Sequence, residues 1–194
     1  DTLTQALGLT DKHIHYFNDS AVGIHHLMLL DYQRLVNDAA KADIEITIAS
    51  GFRSFERQHL IWNNKFTGKT PIKDANDNVV DITRLTELEI VKAILLFSAL
   101  PGASRHHWGC DIDVYAPNLL GNNTLQLEPW EYANSGPMAK LFSWLKINAG
   151  SYGFYFPYDM YRGGVAAEPW HLSYTPLAKE YQSSLTLDNL HNLL

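Results

Sequence analysis

Between Ile24 and Ala42 the apolar residues Ile24, Leu27, Met28, Leu35 and Val36 recur at three- and four-residue steps. That spacing lays one stripe along an amphipathic helix. Ile44–Ser50 then alternates apolar and polar positions, the period of a half-buried strand. A helical pattern returns over Phe55–Phe66, with Gln58, Leu60, Ile61 and Trp62. It recurs over Leu85–Leu100, where Thr83 or Thr86 can cap the start and Pro101-Gly102 stops the helix. Gly136–Ala149 reads as another helix, with Met138, Leu141, Phe142, Leu145 and Ile147 mostly on one side. Cys110–Tyr115 reads as a short strand.

The remaining segments lack a clear period. Residues 1–20 read as an extended arm with one helical turn, and residues 177–194 as a helical tail. Two loop-rich stretches, 67–82 and 117–129, read as insertions. The first suggests a small hairpin around Asn76-Asp77-Asn78, the second a hairpin or ordered loop around Gly121. Asp74, Asn76 and Asn78 copy the start of a calcium loop, but Val79 replaces its glycine and Leu85 its final glutamate, so calcium is rejected. The aromatics of Gly150–Tyr161 read as core packing and an edge strand.

Composition narrows the function. At 194 residues the chain suits one domain, 1–194, with a substantial core. A net charge of −6 argues against nucleic acid as a partner, because phosphate binding needs a basic face. The longest apolar run, Ile94–Leu100, is far short of a membrane span. A single cysteine excludes an internal disulfide and a cysteine-based structural zinc site, and Cys110 reads as a small buried hydrophobe.

The chemistry concentrates in Gly102-Ala-Ser-Arg-His-His-Trp-Gly-Cys-Asp-Ile-Asp-Val-Tyr115. A strand would hold His106 and Asp113 roughly 23 Å apart, and a helix about 10 Å apart. Neither lets both reach one ion, so the chain must fold back between them, and Gly109 tolerates such a bend. Glu168-Pro-Trp-His171 offers a third ligand with a carboxylate beside it. His25 and His26 are adjacent, about 100° apart on a helix, and read as surface or packing residues.

Three motifs stand in order: Ser50-Gly-Phe-Arg-Ser54, Ser104-x-His106 with Asp113, and Glu168-Pro-Trp-His171. Together they resemble the VanY-like D-alanyl-D-alanine carboxypeptidases, in a superfamily shared with hedgehog proteins and LytM-type endopeptidases. The resemblance implies an α+β fold, an antiparallel sheet flanked by helices. It implies one zinc ion held by His106, Asp113 and His171, although nitrogen and oxygen donors also suit other divalent ions. Glu168 would act as general base. Arg53 would steady either the oxyanion or the substrate's terminal carboxylate. Ser104 and Gln58 match positions that touch peptide in relatives, with structural hydrogen bonding an equal alternative. Trp170 reads as a wall behind the ligands.

The implied substrate is a peptidoglycan stem peptide, cleaved at its D-alanine end by a monomeric carboxypeptidase. An L,D-carboxypeptidase, a dipeptidase, an endopeptidase and a non-catalytic zinc-binding module stand as alternatives. Such a substrate implies an exported protein, in the periplasm or cell envelope, whose precursor carries the export signal that this chain lacks. Three positions depart from the pattern: Arg105 replaces an acidic residue, Ser173 replaces an arginine, and Asp111 is unusual. Asp111 shares a strand face with Asp113 and is the alternative ligand, while His107 reads as a pocket or supporting residue.

Overall fold

In a computed structural model, which describes residues 1–193, the chain opens with helix α1 (Thr2–Ala6). Strand β1 (Ile14–Tyr16) then pairs antiparallel with β2 (Gly23–His25). A 3₁₀ turn over His26–Met28 leads into α2 (Leu29–Ala40). The helix expected from Ile24 therefore starts five residues later. Ile24 and Met28 are fully buried in the core in this geometry, so the apolar period survives while the first turn is strand. The arm expected over 1–20 thus contains α1 and β1.

Next come β3 (Thr47–Ser50) and α3 (Phe55–Phe66). The bounds of α3 match the sequence reading because Ser54 caps it, its side chain accepting from the Arg57 amide. Helix α4 (Glu87–Leu95) begins with Thr86 and Glu89 in a reciprocal capping box. It ends five residues short of Leu100, because the chain leaves the helix after its C-cap Leu96, and Phe97, Ser98 and Ala99 form a wall of the cleft described below. The expected hairpin over 72–82 is reduced to a single bridge, Lys73 opposite Val79.

Strand β4 (Asp111–Tyr115) follows a 3₁₀ helix over Arg105–Trp108. Between them Gly109 has φ +79°, and a Cβ there would run into the Ile14 side chain and crowd the His25 backbone. Residues 117–129 hold a short helix, α5 (Pro117–Leu120), and irregular chain rather than a hairpin. Two further helices, α6 (Pro129–Tyr132) and α7 (Ala139–Asn148), precede β5 (Phe154–Tyr155) and β6 (His171–Tyr174). Helices α8 (Thr175–Ser184) and α9 (Leu187–His191) form the tail, which starts two residues earlier than expected.

The main sheet has the order β3-β4-β6-β5 and every pairing is antiparallel. This is the expected α+β architecture. Ile112, Val114 and Leu172 point to one face of the sheet and are fully buried with Leu35, Leu141 and Leu145 in one core cluster. Burying each such side chain contributes about 1.5–3 kcal/mol. The alternation of a strand then sends Asp111, Asp113, His171 and Ser173 to the other face. Register does the rest: Asp113 stands opposite His171 and Asp111 opposite Ser173, while Ser50 of β3 pairs with Asp113 from the other side. A smaller cluster of Ile72, Ile90 and Ile94, packed with Trp62 and Phe66, joins α3 to α4 beside this face.

Candidate active site

His106 is placed by the 3₁₀ helix that Ser104 caps, the serine side chain accepting from the His106 amide at 3.3 Å. The His106 Nδ1 lies 2.9 Å from the Gly51 carbonyl oxygen. A carbonyl only accepts, so Nδ1 carries the proton and Nε2 keeps its lone pair. That Nε2 faces Asp113 Oδ2 at 3.3 Å. His171 is fixed the other way round. Its Nε2 donates to Asp111 Oδ2 at 2.6 Å, which leaves Nδ1 3.6 Å from Asp113 Oδ1 and 3.4 Å from Glu168 Oε1.

The His106, Asp113 and His171 donor atoms all lie within 4.8 Å of one another, and all three residues are buried. Asp113 Oδ1 is buried with no hydrogen-bond partner. A buried, unpartnered carboxylate oxygen facing two imidazoles whose other nitrogens are already bonded is a cation site by its chemistry. The group fits zinc by the type and number of its donors, three nitrogen and oxygen ligands. Electrostatics agree. Burial opposes positive charge on His171, yet the carboxylates of Asp111, Glu168 and Asp113 around it outweigh that and raise its pKa to about 10, so the pocket favours positive charge where a cation would sit. Burial also opposes charge on Asp113, but His106, His171 and Arg53 bring its pKa below the ordinary carboxylate value.

Glu168 reaches the same cleft through a turn. The His171 amide donates to the Glu168 carbonyl at 3.1 Å, which supplies the bend that a three-residue step into a strand requires. The Glu168 amide is held by the Tyr158 carbonyl at 2.8 Å, and the Tyr158 ring stands edge-on to His171, 5.0 Å between centroids. Arg53 enters from the end of β3. Its amide donates to the His106 carbonyl at 3.0 Å, and its guanidinium donates to Gln58 Oε1 at 2.9 Å and Ser50 Oγ at 3.0 Å.

Arg53, Ser104, His106, Asp113, Glu168 and His171 therefore line one cleft. Gln58, read as either a substrate contact or a structural hydrogen-bonding residue, stands behind Arg53 and hydrogen-bonds its guanidinium. It is 1% exposed, and its amide nitrogen is spent on the Ala99 carbonyl at 2.7 Å. His107 is a buried strut: Nδ1 donates to the Arg53 carbonyl at 2.6 Å and Nε2 accepts from the Gly102 amide. Trp170 is buried against Tyr132, a wall as expected. His25 is likewise a packing residue, bonded to the Tyr181 hydroxyl at 2.9 Å.

The three departures from the motif pattern turn out to be one network. Arg105 Nε donates to Asp111 Oδ2 at 2.7 Å, and Nη2 donates to Ser173 Oγ at 2.8 Å and to the Tyr155 hydroxyl at 2.9 Å. Ser173 donates to the other Asp111 oxygen at 2.7 Å. Asp111 is thus the support of His171 rather than a ligand. The sequence signal for this was its place two residues from Asp113, on the same face of β4.

Among curated relatives, an uncharacterized protein of Haemophilus influenzae is 42% identical over 83 residues, 41% of this chain and 63% of its own length. The putative carboxypeptidase YodJ of Bacillus subtilis is 28% identical over 150 residues, 74% of this chain and 44% of that protein. The chain spans less than two thirds of each of these relatives. In fold it is similar to VanYB solved with D-alanine-D-alanine (TM-score 0.62, 24% identity, 94% of this chain and 90% of that one). It is also similar to a VanY D,D-pentapeptidase solved with Zn(II) (TM-score 0.60, 24% identity, 93% and 92%). The LD-carboxypeptidase LdcB shares the fold at a TM-score of 0.56, with 22% identity over 93% of this chain and 75% of that one. The family model for VanY, D-alanyl-D-alanine carboxypeptidase, matches residues 22–177. That span takes in all three motifs and every strand of the main sheet, and the chain belongs to the VanY D-alanyl-D-alanine carboxypeptidase family.

Proposed function

We propose that the protein is a zinc carboxypeptidase that removes the terminal D-alanine from peptidoglycan stem peptides. The observation that carries this reading is Glu168, a carboxylate 3.4 Å from His171 Nδ1 and lining the same cleft as His106, Asp113 and His171. A module that only bound its partner would not need it.

His106, Asp113 and His171 would hold one zinc ion, which when bound would supply Lewis acidity and a more acidic water near neutral pH. Glu168 takes the proton of the attacking water as its oxygen bonds to the scissile carbonyl carbon. The same carboxyl then gives that proton to the departing amine as the C–N bond breaks. Arg53, its guanidinium oriented by Gln58 and Ser50, meets the developing oxyanion or the substrate's terminal carboxylate. His106 and His171 are held in one tautomer throughout by Gly51 and Asp111. Ser104 holds the turn that presents His106 and offers its hydroxyl at the cleft.

VanYB was solved with D-alanine-D-alanine and LdcB is an LD-carboxypeptidase, so related folds accept both kinds of peptide end. The D,D reaction is the reading favoured by the family match. The protein then acts as a monomer outside the cytoplasmic membrane, in the periplasm or cell envelope, where peptidoglycan lies. No helix among the described residues is long and apolar enough to cross a membrane. Mass spectrometry of muropeptides incubated with the zinc-loaded protein tests the reading. Loss of one alanine from pentapeptide stems is expected; intact stems would contradict it.

A further inference from the structure

Three cations stand at or beside the cleft, and they are not alike. Arg105 is neutralised by the fully buried Asp111. Arg53 hydrogen-bonds only to uncharged side chains, Gln58 and Ser50. Lys65 of α3 donates to Ser98 Oγ at 2.7 Å, and among the described residues no carboxylate oxygen lies within 4.0 Å of its ammonium.

Lys65 is half-buried and sits seven residues along α3 from Gln58, two turns on the same helix face. From that face Gln58 holds the Ala99 carbonyl, Trp62 Nε1 holds the Ser98 carbonyl at 3.4 Å, and Lys65 holds the Ser98 hydroxyl. The wall so fixed lines the cleft alongside Arg53, Glu168 and His171. An ammonium can only donate, so Ser98 Oγ is the acceptor and its own O–H remains to be given away. No side chain or carbonyl among the described residues takes it, although Ser98 is only 8% exposed. A hydroxyl polarised by a cation and facing a cleft with a second cation suits an anionic oxygen.

We propose that Lys65 and Ser98 form the subsite for the free terminal carboxylate of the substrate, a specificity-determining pair that makes the protein an exopeptidase and leaves Arg53 to the oxyanion. This rests on the peptidase reading given above. Burial lowers the Lys65 pKa, and the Arg53 charge pushes the same way while Glu168 opposes it. A carboxylate bound against the Lys65 ammonium and the Ser98 hydroxyl offsets both effects on Lys65.

The test is calorimetric binding of D-alanyl-D-alanine and of its C-terminal amide to the zinc-loaded Glu168→Ala protein, which separates binding from turnover. The acid should bind more tightly than the amide. Adding Ser98→Ala or Lys65→Met should weaken the acid by roughly ten- to hundredfold, the range of a hydrogen bond to a charged group, and leave the amide unchanged. Equal weakening of both ligands, or of neither, would make the pair a structural latch and overturn the proposal while the peptidase reading stands. Failure of the parent Glu168→Ala protein to bind either ligand would overturn that reading, and the subsite with it.

Discussion

His171 Nε2 and Asp111 Oδ2 are 2.6 Å apart, and that bond decides which face of the imidazole is offered to the site. Asp113, two residues further along β4, meets the opposite nitrogen of the same ring. One strand therefore supplies both the carboxylate that faces His171 and the group that orients the ring.

Asp111→Asn should weaken zinc retention by roughly 10–100-fold, the usual worth of a partner that orients a metal-bound histidine. It also leaves the Arg105 charge without its buried partner, a defect that costs about 3–5 kcal/mol in comparable cases. Competition with a chromogenic chelator reads the first effect and urea unfolding the second. Zinc affinity equal to that of the parent would show that Asp111 plays no part in holding His171.

His106→Ala or His171→Ala removes one of three ligands and should abolish zinc retention and hydrolysis together. Metal content after gel filtration is the measurement. Full occupancy in both variants would remove these residues from the ligand set.

Arg53→Ala should lower kcat by on the order of 10²–10³, as loss of an oxyanion donor does. With the terminal carboxylate assigned to Lys65 and Ser98, the loss should be the same for acid and amidated peptides. A defect confined to KM and absent for the amidated peptide would return the carboxylate to Arg53.

The buried ring of His25 sets a pH dependence of stability. Its Nδ1 accepts from the Leu27 amide at 3.2 Å, and Nε2 meets the Tyr181 hydroxyl, which donates onward to Gln5. Burial first, then the charges of His13 and His26, lower its pKa from 6.5 to about 4. The unfolded chain therefore takes the proton first as pH falls. The stabilisation is full above pH 6.5 and is lost on the way down to about 4, by on the order of 3 kcal/mol. Urea unfolding at pH 7 and pH 4.5 should show a smaller difference in His25→Gln than in the parent. An unchanged difference would contradict this role.

Much of this was legible in the chain, and what was not has physical reasons. Phe55–Phe66 could be read to the residue because its apolar stripe and its cap agree. The helix expected from Ile24 overshot because Ile24 and Met28 are core residues whether the backbone there is strand or helix. The bend between His106 and Asp113 followed from their separation and from Gly109. The Arg105, Asp111 and Ser173 network did not, because it depends on β4 and β6 pairing in one register across some sixty residues of chain. The same holds for Lys65 and Ser98, which meet only because α4 ends early. Which of its two open roles Gln58 takes was not legible, because a helical period tells which face is buried, not which buried group lies behind another.

On the peptidase reading, Glu168 moves the proton in a site whose metal would be held without it. Single-turnover hydrolysis of a D-alanyl-D-alanine-ended peptide by Glu168→Ala, with metal content measured on the same sample, tests it most directly. Zinc should stay bound and the fold intact, while turnover falls by roughly 10²–10⁴-fold, the range of general acid–base catalysis. Turnover equal to that of the parent, with zinc bound, would contradict the account and leave a metal site whose carboxylate does no chemistry.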